Sequence, residues 1–300
     1  MYYLLYGFFY LLSLLPFWVM YLVSDVVFLI IYYVVGYRRK LVMENLTFTF
    51  PEKSVAEKEK IARQFFRNFC DVWVEMIKTM TMSRAEAAKR MECDFDIFEK
   101  WYAEGKTMQL VGGHFINWEY IPVCVPSFQP FVAIAIYMPL SNKVINRLVF
   151  HIRSRFGLIL MGAGRMQKEI MGWNNRQYMM IVGADQSPSN PEEALWLNYC
   201  NRPTGFVSGP WKRAVKANQP YGYMKIRKVA RGRYTFTSSV FEENPSAYTP
   251  ESLAKRYVAM LEDEIHEAPE LYLWTHNRWK RPWKQEYGKQ WIDDKPGPTL

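Results

Sequence analysis

Residues 108–119 read MQLVGGHFINWE. The first four are largely apolar and form a short run typical of a buried strand, and Gly112 and Gly113 follow at its end. Because glycine allows the backbone to bend sharply, we expect His114 to leave the strand and face a cleft before a helix begins. The stretch therefore predicts a strand, a turn and a helix, with a titratable side chain in the turn.

The same alternation of strand and helix continues along the chain. Apolar periodicity and start and stop signals predict strands at 131–136 and 178–182, a hairpin at 221–227 and 234–241, and helices that begin near residues 54, 142 and 250. Such alternation predicts an α/β fold with a mixed, mostly parallel sheet flanked by helices. No repeat, low-complexity tract or linker interrupts residues 37–300, so we expect one catalytic domain there.

Two acidic side chains are candidates to act together with His114. Asp185 follows the predicted strand 178–182, and ligands of such sheets gather beyond the carboxyl ends of parallel strands. Glu119 lies five positions after His114, a spacing that does not share one face of a continuous helix. With His114 in the turn, however, we expect Glu119 to fold back to an imidazole nitrogen. That carboxylate would fix the tautomer, and the other nitrogen would take a proton from an alcohol.

Other interpretations of these residues stay open at this point. A histidine with a glutamate five residues later is common by chance, and an aspartate after a strand often caps a turn. A serine nucleophile is disfavoured because the chain contains no G-x-S-x-G. A metal site is disfavoured because neither H-E-x-x-H nor paired cysteines occur. A membrane-bound lipid-binding protein with a structural histidine is the non-enzymatic alternative.

The predicted helix 142–156 carries three arginines, Arg147, Arg153 and Arg155. An alcohol that loses its proton can attack a carbonyl group, whose oxygen then becomes negative, and a guanidinium group can donate hydrogen bonds to that oxygen. A solvated helix face, or a favourable contact with the carboxyl end of the helix dipole, would explain the same residues. The sequence therefore offers an oxyanion-stabilising group here without selecting one.

Composition and charge favour a lipid partner. The chain has 300 residues, 50% of them hydrophobic and 17% aromatic, which is enough for a large core and typical of proteins at membrane interfaces. Its formal net charge is +9, in short clusters that suit an anionic surface. We expect phosphate-bearing lipid and no nucleic acid, because no nucleic-acid-binding motif occurs. The four cysteines are widely spaced, so we expect reduced thiols in the cytosol.

The amino-terminal segment, residues 1–36, is predicted to be a membrane anchor. Asp25 is its only charged side chain. As one helix it would be about 52 Å long, against a hydrocarbon core of about 30 Å. We therefore expect breaks at Pro16 and at Ser24-Asp25, giving one membrane span, alone or joined to an interfacial or re-entrant piece. The sequence does not decide which half crosses.

The basic residues that follow the anchor indicate its orientation. Arg38, Arg39 and Lys40 come directly after it, while no lysine or arginine precedes it. The positive-inside rule then places residues 37–300 in the cytoplasm. A buried helical hairpin in a soluble protein is the alternative to an anchor.

Six blocks of sequence, in order, resemble one known family. They are YRRK at 37–40 with ENL at 44–46 and FP at 50–51, HFINWE at 114–119, YMPL at 137–140, RSRFG at 153–157, GADQ at 183–186, and LWTHNRWKRP at 273–282. The chain resembles the late acyltransferases of lipid A biosynthesis, the lauroyl and myristoyl transferases of the lysophospholipid acyltransferase superfamily. The blocks cover nearly the whole chain.

The resemblance implies an enzyme on the cytoplasmic face of the Gram-negative inner membrane, with a glycerolipid acyltransferase-like fold. Its donor would be an acyl carrier protein thioester, and no cofactor is implied. Its acceptor would be the 3-hydroxyl of an acyl chain already on a lipid A precursor. Other acceptors, such as a glycolipid, an amino-acid lipid or an aryl lipid, stay open. So do the acyl chain length, the order in the pathway and the oligomeric state.

The resemblance also implies roles for particular residues. His114 and Glu119 match the family's H-x4-(D/E) dyad, which makes them the predicted general base and its partner. Arg153 lies where the family's arginine follows the Y-x-P motif, with Arg155 two residues away, and Asp185 matches an aspartate after a strand. The catalytic set is thus predicted as His114, Glu119, Arg153 and Asp185, and the substrate-binding set as Asn117, Trp118, Tyr137, Arg155 and Gln186. For the last block, a structural role near the membrane and a catalytic role are both open.

Two positions depart from the usual pattern of the family. Met138 stands where an arginine commonly follows the tyrosine, and residues 221–223 read YGY in place of a run of valines. These departures leave His114 and Glu119 in place and leave the identity of the acceptor open.

Overall fold

The computed structural model describes residues 1–173 and 176–298. These residues form eleven α-helices, α1 to α11 in chain order: Tyr2–Leu14, Phe17–Leu29, Arg39–Thr49, Val55–Lys78, Arg84–Ala88, Asp96–Ala103, Ile121–Phe128, Lys143–Ser154, Met166–Ile170, Gly209–Ala217 and Pro250–Glu267. A π-helical turn, Ile30–Val34, continues α2. Short 3₁₀ turns, among them Trp118–Tyr120, connect several elements.

The described residues also form nine strands, β1 to β9: Met91–Asp94, Met108–Gly112, Val132–Tyr137, Ile159–Gly162, Tyr178–Gly183, Leu195–Tyr199, Arg202–Phe206, Tyr221–Ala230 and Arg233–Glu242. Seven of them make one sheet in the order β1-β9-β8-β2-β5-β3-β4. The last five in that order run parallel, while β9 pairs antiparallel with β8 and β1 pairs parallel with β9. Strands β6 and β7 form a separate antiparallel pair. The predicted mixed, mostly parallel sheet is confirmed.

The predicted helix starts are confirmed, because their caps are present. The side chain of Ser54 accepts from the backbone N–H of Glu57, whose carboxylate in turn accepts from the backbone of Ser54. The Asn142 side chain accepts from two N–H groups of the first turn of α8, and Thr249 caps α11. These caps satisfy backbone donors that a helix start leaves open.

Several elements had no clear sequence signal. Strand β1 carries two carboxylates in four residues, with only Met91 buried, so its sequence does not look like a strand. Its place beside β9 comes from the tertiary fold. Strand β4 has four residues, and β6 and β7 contain Asn198, Arg202 and Pro203, which weaken any alternating pattern.

Helices cover both faces of the sheet. Successive residues of β8 point to opposite faces, so Tyr221 and Tyr223 lie on one face and Gly222 on the other. The two tyrosines contact Trp211 of α10 and Tyr257 of α11. On the opposite face α6 approaches so closely that a Cβ at position 222 would lie 2.9 Å from Cε1 of Phe98. The sheet is therefore the central layer of the core.

The amino-terminal segment forms two helices joined at Pro16, where a break was predicted. The second predicted break, at Ser24-Asp25, is wrong because α2 runs through both residues. Both find partners in the rest of the chain: Ser24 Oγ donates to Asp71, and Asp25 pairs with Arg231. Among the described residues, one helical stretch, Phe17–Val34, is long and apolar enough to cross a membrane, with a mean hydropathy of 2.0. The division of the chain at residue 36 stays a prediction.

Candidate functional site

The register of two neighbouring strands sets His114 opposite Asp185. Strands β2 and β5 pair in parallel with Gly112 opposite Gly183, so residues two positions beyond each glycine lie at the same level. His114 Nδ1 is 2.6 Å from Asp185 Oδ1, and the backbone N–H of His114 donates to Oδ2 at 3.0 Å. The register therefore brings the two residues together, as predicted, and a ligand crevice in front of them stays a prediction. Asp185 binds His114 at two points, so it does more than cap its own turn.

The glycines around the site leave room for side chains that pack directly on their backbone. Neither Gly112 nor Gly113 has a positive φ, so a left-handed backbone conformation is not the reason for them. A Cβ at Gly183 would lie 2.5 Å from Cε1 of His114, and one at Gly113 would lie 2.5 Å from Cδ1 of Leu261. The imidazole therefore packs directly on the backbone of β5.

The pairing with Asp185 sets the protonation of His114. Because a carboxylate accepts at Nδ1, we assign the neutral ring's proton to Nδ1, which leaves the lone pair on Nε2. Burial alone would lower the pKa of His114, but the charge and hydrogen bond of Asp185 raise its pKa above the ordinary value. The same pair holds the pKa of Asp185 at about 2, against the burial that would raise it. The His114 side chain stays 23% exposed, whereas Asp185 is 2% exposed.

Glu119 has a different partner from the one predicted. Its carboxylate accepts from Arg153 Nε at 2.9 Å and from Arg153 Nη2 at 2.5 Å, and from Trp118 Nε1 at 3.0 Å. Within the residues that the structure describes, Glu119 makes no hydrogen bond to His114. The backbone turns left-handed at Asn117 and then forms a 3₁₀ turn, which directs Glu119 toward α8. The predicted contact of Glu119 with the imidazole is therefore wrong, and Asp185 occupies that place.

The three arginines of the predicted helix 142–156 make separate contacts, Arg147 and Arg153 from α8 and Arg155 from the residue that follows it. Arg153 forms the two-point ion pair with buried Glu119, which raises the pKa of its guanidinium although burial would lower it. Arg155 Nη1 donates to the carbonyls of Thr79 and Met82, at 2.9 and 2.7 Å, and so holds the chain that follows α4. Arg147 lies 4.0 Å from the ring centroid of Tyr2. Arg153 is thus the arginine of α8 that the structure brings to Glu119.

Apart from Arg155, the predicted substrate-binding residues have three kinds of position. Trp118 and Gln186 flank the imidazole: the Trp118 ring centroid is 6.0 Å from that of His114, and Gln186 Nε2 is 3.3 Å from His114 Nε2. Tyr137 ends β3, at the same edge of the sheet, and is half-buried. Asn117 is fully buried and its side-chain amide donates to Glu75, so it supports the turn and does not face solvent.

His276 is a site residue to which sequence reasoning gave no defined role. Its Nε2 accepts the backbone N–H of Ser187 at 3.1 Å, in the loop that also carries Asp185 and Gln186. Burial lowers the pKa of His276 to about 4, so it stays neutral and able to accept. No spacing rule connects position 276 with position 114. The resemblance in the block 273–282 was the one available signal.

The side chains brought together have a defined chemical capacity. An imidazole with its lone pair on Nε2, backed by a carboxylate at Nδ1, can take a proton from a hydroxyl group that replaces the Gln186 amide as the partner of Nε2. Arg153 is 25% exposed beside it and can donate to an oxygen that becomes negative. Among residues 1–173 and 176–298, no group of three or more His, Cys, Asp or Glu side chains is arranged to hold a metal ion.

Comparison with known proteins identifies the family of the chain. The family described as bacterial lipid A biosynthesis acyltransferase matches residues 1–281. A lipid A biosynthesis palmitoleoyltransferase of Escherichia coli (strain K12) is 24% identical over 261 residues, which cover 81% of this chain and 79% of that protein. A lipid A biosynthesis acyltransferase of Shigella flexneri matches to the same extent. With its family match over nearly the full length, the chain belongs to the bacterial lipid A biosynthesis acyltransferases.

Proposed function

We propose that this acyltransferase moves a fatty acyl group from an acyl carrier protein thioester to the 3-hydroxyl of an acyl chain on a lipid A precursor. The observation that carries the proposal is the 2.6 Å contact between Asp185 and His114 Nδ1, which leaves Nε2 as a partly exposed base. The thioester donor and the 3-hydroxyl follow from the family resemblance.

The reaction requires one base and one oxyanion-stabilising group. His114 Nε2 takes the proton of the acceptor hydroxyl while the hydroxyl oxygen attacks the thioester carbonyl. The tetrahedral intermediate then collapses, the thiolate leaves, and the imidazolium returns the proton to its sulfur. Asp185 stabilises the imidazolium and keeps the ring oriented, as a carboxylate does in a catalytic triad.

Arg153 and Glu119 supply the second requirement in this proposal. Arg153 uses Nε and Nη2 to bind Glu119, and this fixes its planar guanidinium in one orientation. Its remaining donors are directed to the carbonyl oxygen of the thioester. Glu119 acts here as a positioning residue, so the predicted His114-Glu119 dyad is replaced by two neighbouring pairs.

The proposed acyl group, acceptor and location each have their own support. The Escherichia coli relative is named a palmitoleoyltransferase, which supports a fatty acyl group as the one transferred. The net charge of +9 favours anionic partners such as a phosphorylated lipid. We place the enzyme on the cytoplasmic face of the inner membrane, because the family resemblance and an acyl carrier protein donor both imply that location. A glycolipid, amino-acid lipid or aryl lipid acceptor would use the same two pairs.

The test is transfer by the purified full-length chain. With an acyl carrier protein thioester and a lipid A precursor, we expect an added acyl chain by mass spectrometry and a loss of about 10²-fold or more in His114→Ala. His151→Ala is a matched control, because this histidine lies on α8, is exposed and contacts Tyr6 of α1. A folded His114→Ala protein with full activity would refute the mechanism. Unchanged lipid A in a deletion strain, with another lipid losing a chain, would refute the acceptor.

A further inference from the structure

Helix α2 turns its polar side toward the rest of the chain. Tyr21 Oη donates to Glu75 of α4 at 2.8 Å, and Ser24 Oγ donates to Asp71 of the same helix at 2.7 Å. Asp25 pairs at 2.7 Å with Arg231, which lies at the turn of the β8-β9 hairpin. These contacts involve every strongly polar group in the middle of α2.

The opposite side of α2 is apolar and exposed. Trp18, Leu22, Val26, Leu29 and Tyr33 recur at intervals of three or four residues, which places them along one helical face. Each is between 52% and 67% exposed. A face of this size on a soluble domain marks an interaction surface.

Helix α1 likewise has an inner side that packs on the rest of the chain and an exposed apolar side. Its inner side chains Tyr2, Leu5, Tyr6 and Phe9 pack against buried residues of α4 and α8, while Leu4, Phe8 and Leu11 are exposed.

The turn between α1 and α2 is bound to the end of α4. Lys78 Nζ donates to the carbonyls of Ser13 and Leu15, at 2.8 and 2.7 Å, and Thr81 also donates to Ser13. Such donors satisfy carbonyls that the end of a helix leaves open. The two helices are therefore both docked on the catalytic domain, α2 on α4 and α1 on α4 and α8.

A docked α2 is incompatible with a membrane span. Helix α4 runs beside α2 and carries exposed Arg63 and Arg67, and Arg231 joins the same contact region. If α2 crossed the bilayer in this position, these charges would lie at the depth of the hydrocarbon, where a charged side chain is costly. If α2 crossed after leaving the domain, Glu75 and Asp71 would lose the donors Tyr21 and Ser24.

We propose that α1 and α2 lie together in the plane of the membrane interface, with their apolar outer faces among the acyl chains, and that neither helix crosses. The partner is a lipid surface with anionic headgroups. Basic side chains lie at the ends of the two helices, where such headgroups would be. Arg147 stacks on Tyr2 at the start of α1. Arg39 and exposed Lys40 follow the end of α2. An apolar helix face flanked by cations is the usual composition of an interfacial helix.

This placement brings the lipid surface to the catalytic site. Tyr6 of α1 lies 5.2 Å, ring to ring, from His151 of α8, and Arg153 follows on the same helix. A lipid-borne acceptor can therefore reach the site while its acyl chains stay in the membrane. The inference concerns topology and does not depend on the identity of the acyl donor or acceptor.

The topology is tested by protease treatment of cells that express the full-length chain with a short tag at either end. We expect both tags to survive protease added to spheroplasts and both to be digested in inverted inner-membrane vesicles. A span through Phe17–Val34 would put the two ends on opposite sides. Digestion of the amino-terminal tag in spheroplasts would therefore overturn the proposal.

The outer face is tested by binding to vesicles of phosphatidylethanolamine and phosphatidylglycerol. Replacing Leu22 and Val26 together by glutamate should lower the partition coefficient about tenfold or more, because two apolar side chains leave the lipid. Met171→Glu is the matched control, an exposed apolar residue outside both helices, and should change binding little. Unchanged vesicle binding of the double variant, or a stable dimer that covers this face, would overturn the proposal. If the double variant fails to fold, the tag experiment decides alone.

Discussion

Asp185 and Glu119 are two buried carboxylates near one imidazole, and they are held in different ways. Asp185 is far from His114 in the sequence, yet the register of β2 and β5 places it on Nδ1. Glu119 is five residues from His114, yet the turn at Asn117 sends it to Arg153 on α8. The sheet therefore decides which carboxylate binds the imidazole, and proximity in sequence does not.

In the proposed mechanism, this difference gives the two carboxylates separate tasks. Asp185 acts on the base, since it raises the pKa of His114 and fixes its tautomer. Glu119 acts on the cation, since it holds Arg153 in place and offsets its charge. Each task predicts a distinct kinetic change when its carboxylate is removed.

The largest effect is expected for Asp185→Asn. An amide at this position can donate to Nδ1 and so favour the wrong tautomer, and it no longer stabilises the imidazolium. We expect kcat to fall by about 10³-fold, with KM little changed. Because Asp185 raises the pKa of His114, its removal should also move the acid limb of the kcat/KM profile to lower pH. A variant that keeps wild-type kcat and an unshifted acid limb would separate Asp185 from the base.

A smaller effect is expected for Glu119→Gln. The amide can still accept one hydrogen bond from Arg153 but loses the charge-assisted pair, so we expect kcat/KM to fall by about 10 to 10²-fold. The acid limb should shift less than in Asp185→Asn, because the charge of Glu119 raises the pKa of His114 less than the charge and hydrogen bond of Asp185 do. Steady-state kinetics across pH measure both quantities.

Arg155→Ala is the control for the pair of Arg153 and Glu119. Arg155 also lies near the end of α8, but it binds the carbonyls of Thr79 and Met82. Its loss should lower the free energy of unfolding by about 1 to 3 kcal/mol and leave kcat/KM of the folded enzyme nearly unchanged. An Arg155→Ala enzyme that is stable but inactive would reverse the assignment of the two arginines.

Apart from the Arg155→Ala control, the smallest effect on activity is expected for His276→Leu. Leucine cannot accept the N–H of Ser187, so the loop that carries Asp185 loses one hydrogen bond. We expect a fall in kcat of up to about tenfold. The acid limb of the kcat/KM profile should move partly to lower pH, the direction expected for Asp185→Asn. His276→Gln, which keeps an acceptor, should recover much of the activity. A structural role elsewhere would lower stability without moving the acid limb.

The parts of the site that could be predicted from sequence are those set by local signals. The strand end before His114, the strand end before Asp185 and the cap at Asn142 are read from short patterns, and the structure has all three. The partner of Glu119 could not be read in this way. It depends on the left-handed Asn117, and a positive φ at a single asparagine has no reliable sequence signal.

The fold shows the same division. Alternating strands and helices predict the α/β class, but strand β1 forms because β9 offers it an edge, and its own residues do not call for a strand. Likewise, the polar residues Ser24 and Asp25 suggested a break in α2. Asp71 and Arg231, distant in sequence, satisfy them and keep the helix intact. Contacts between distant segments determine what local patterns leave undecided.

The most direct test of the account is an NMR titration of the His114 ring nitrogens in the full-length enzyme, assigned by difference from His114→Ala. The account predicts a neutral ring with its proton on Nδ1 and a pKa above 6.5 that falls in Asp185→Asn and changes less in Glu119→Gln. A larger fall in Glu119→Gln than in Asp185→Asn would contradict it, because Glu119 would then be the carboxylate that controls the base.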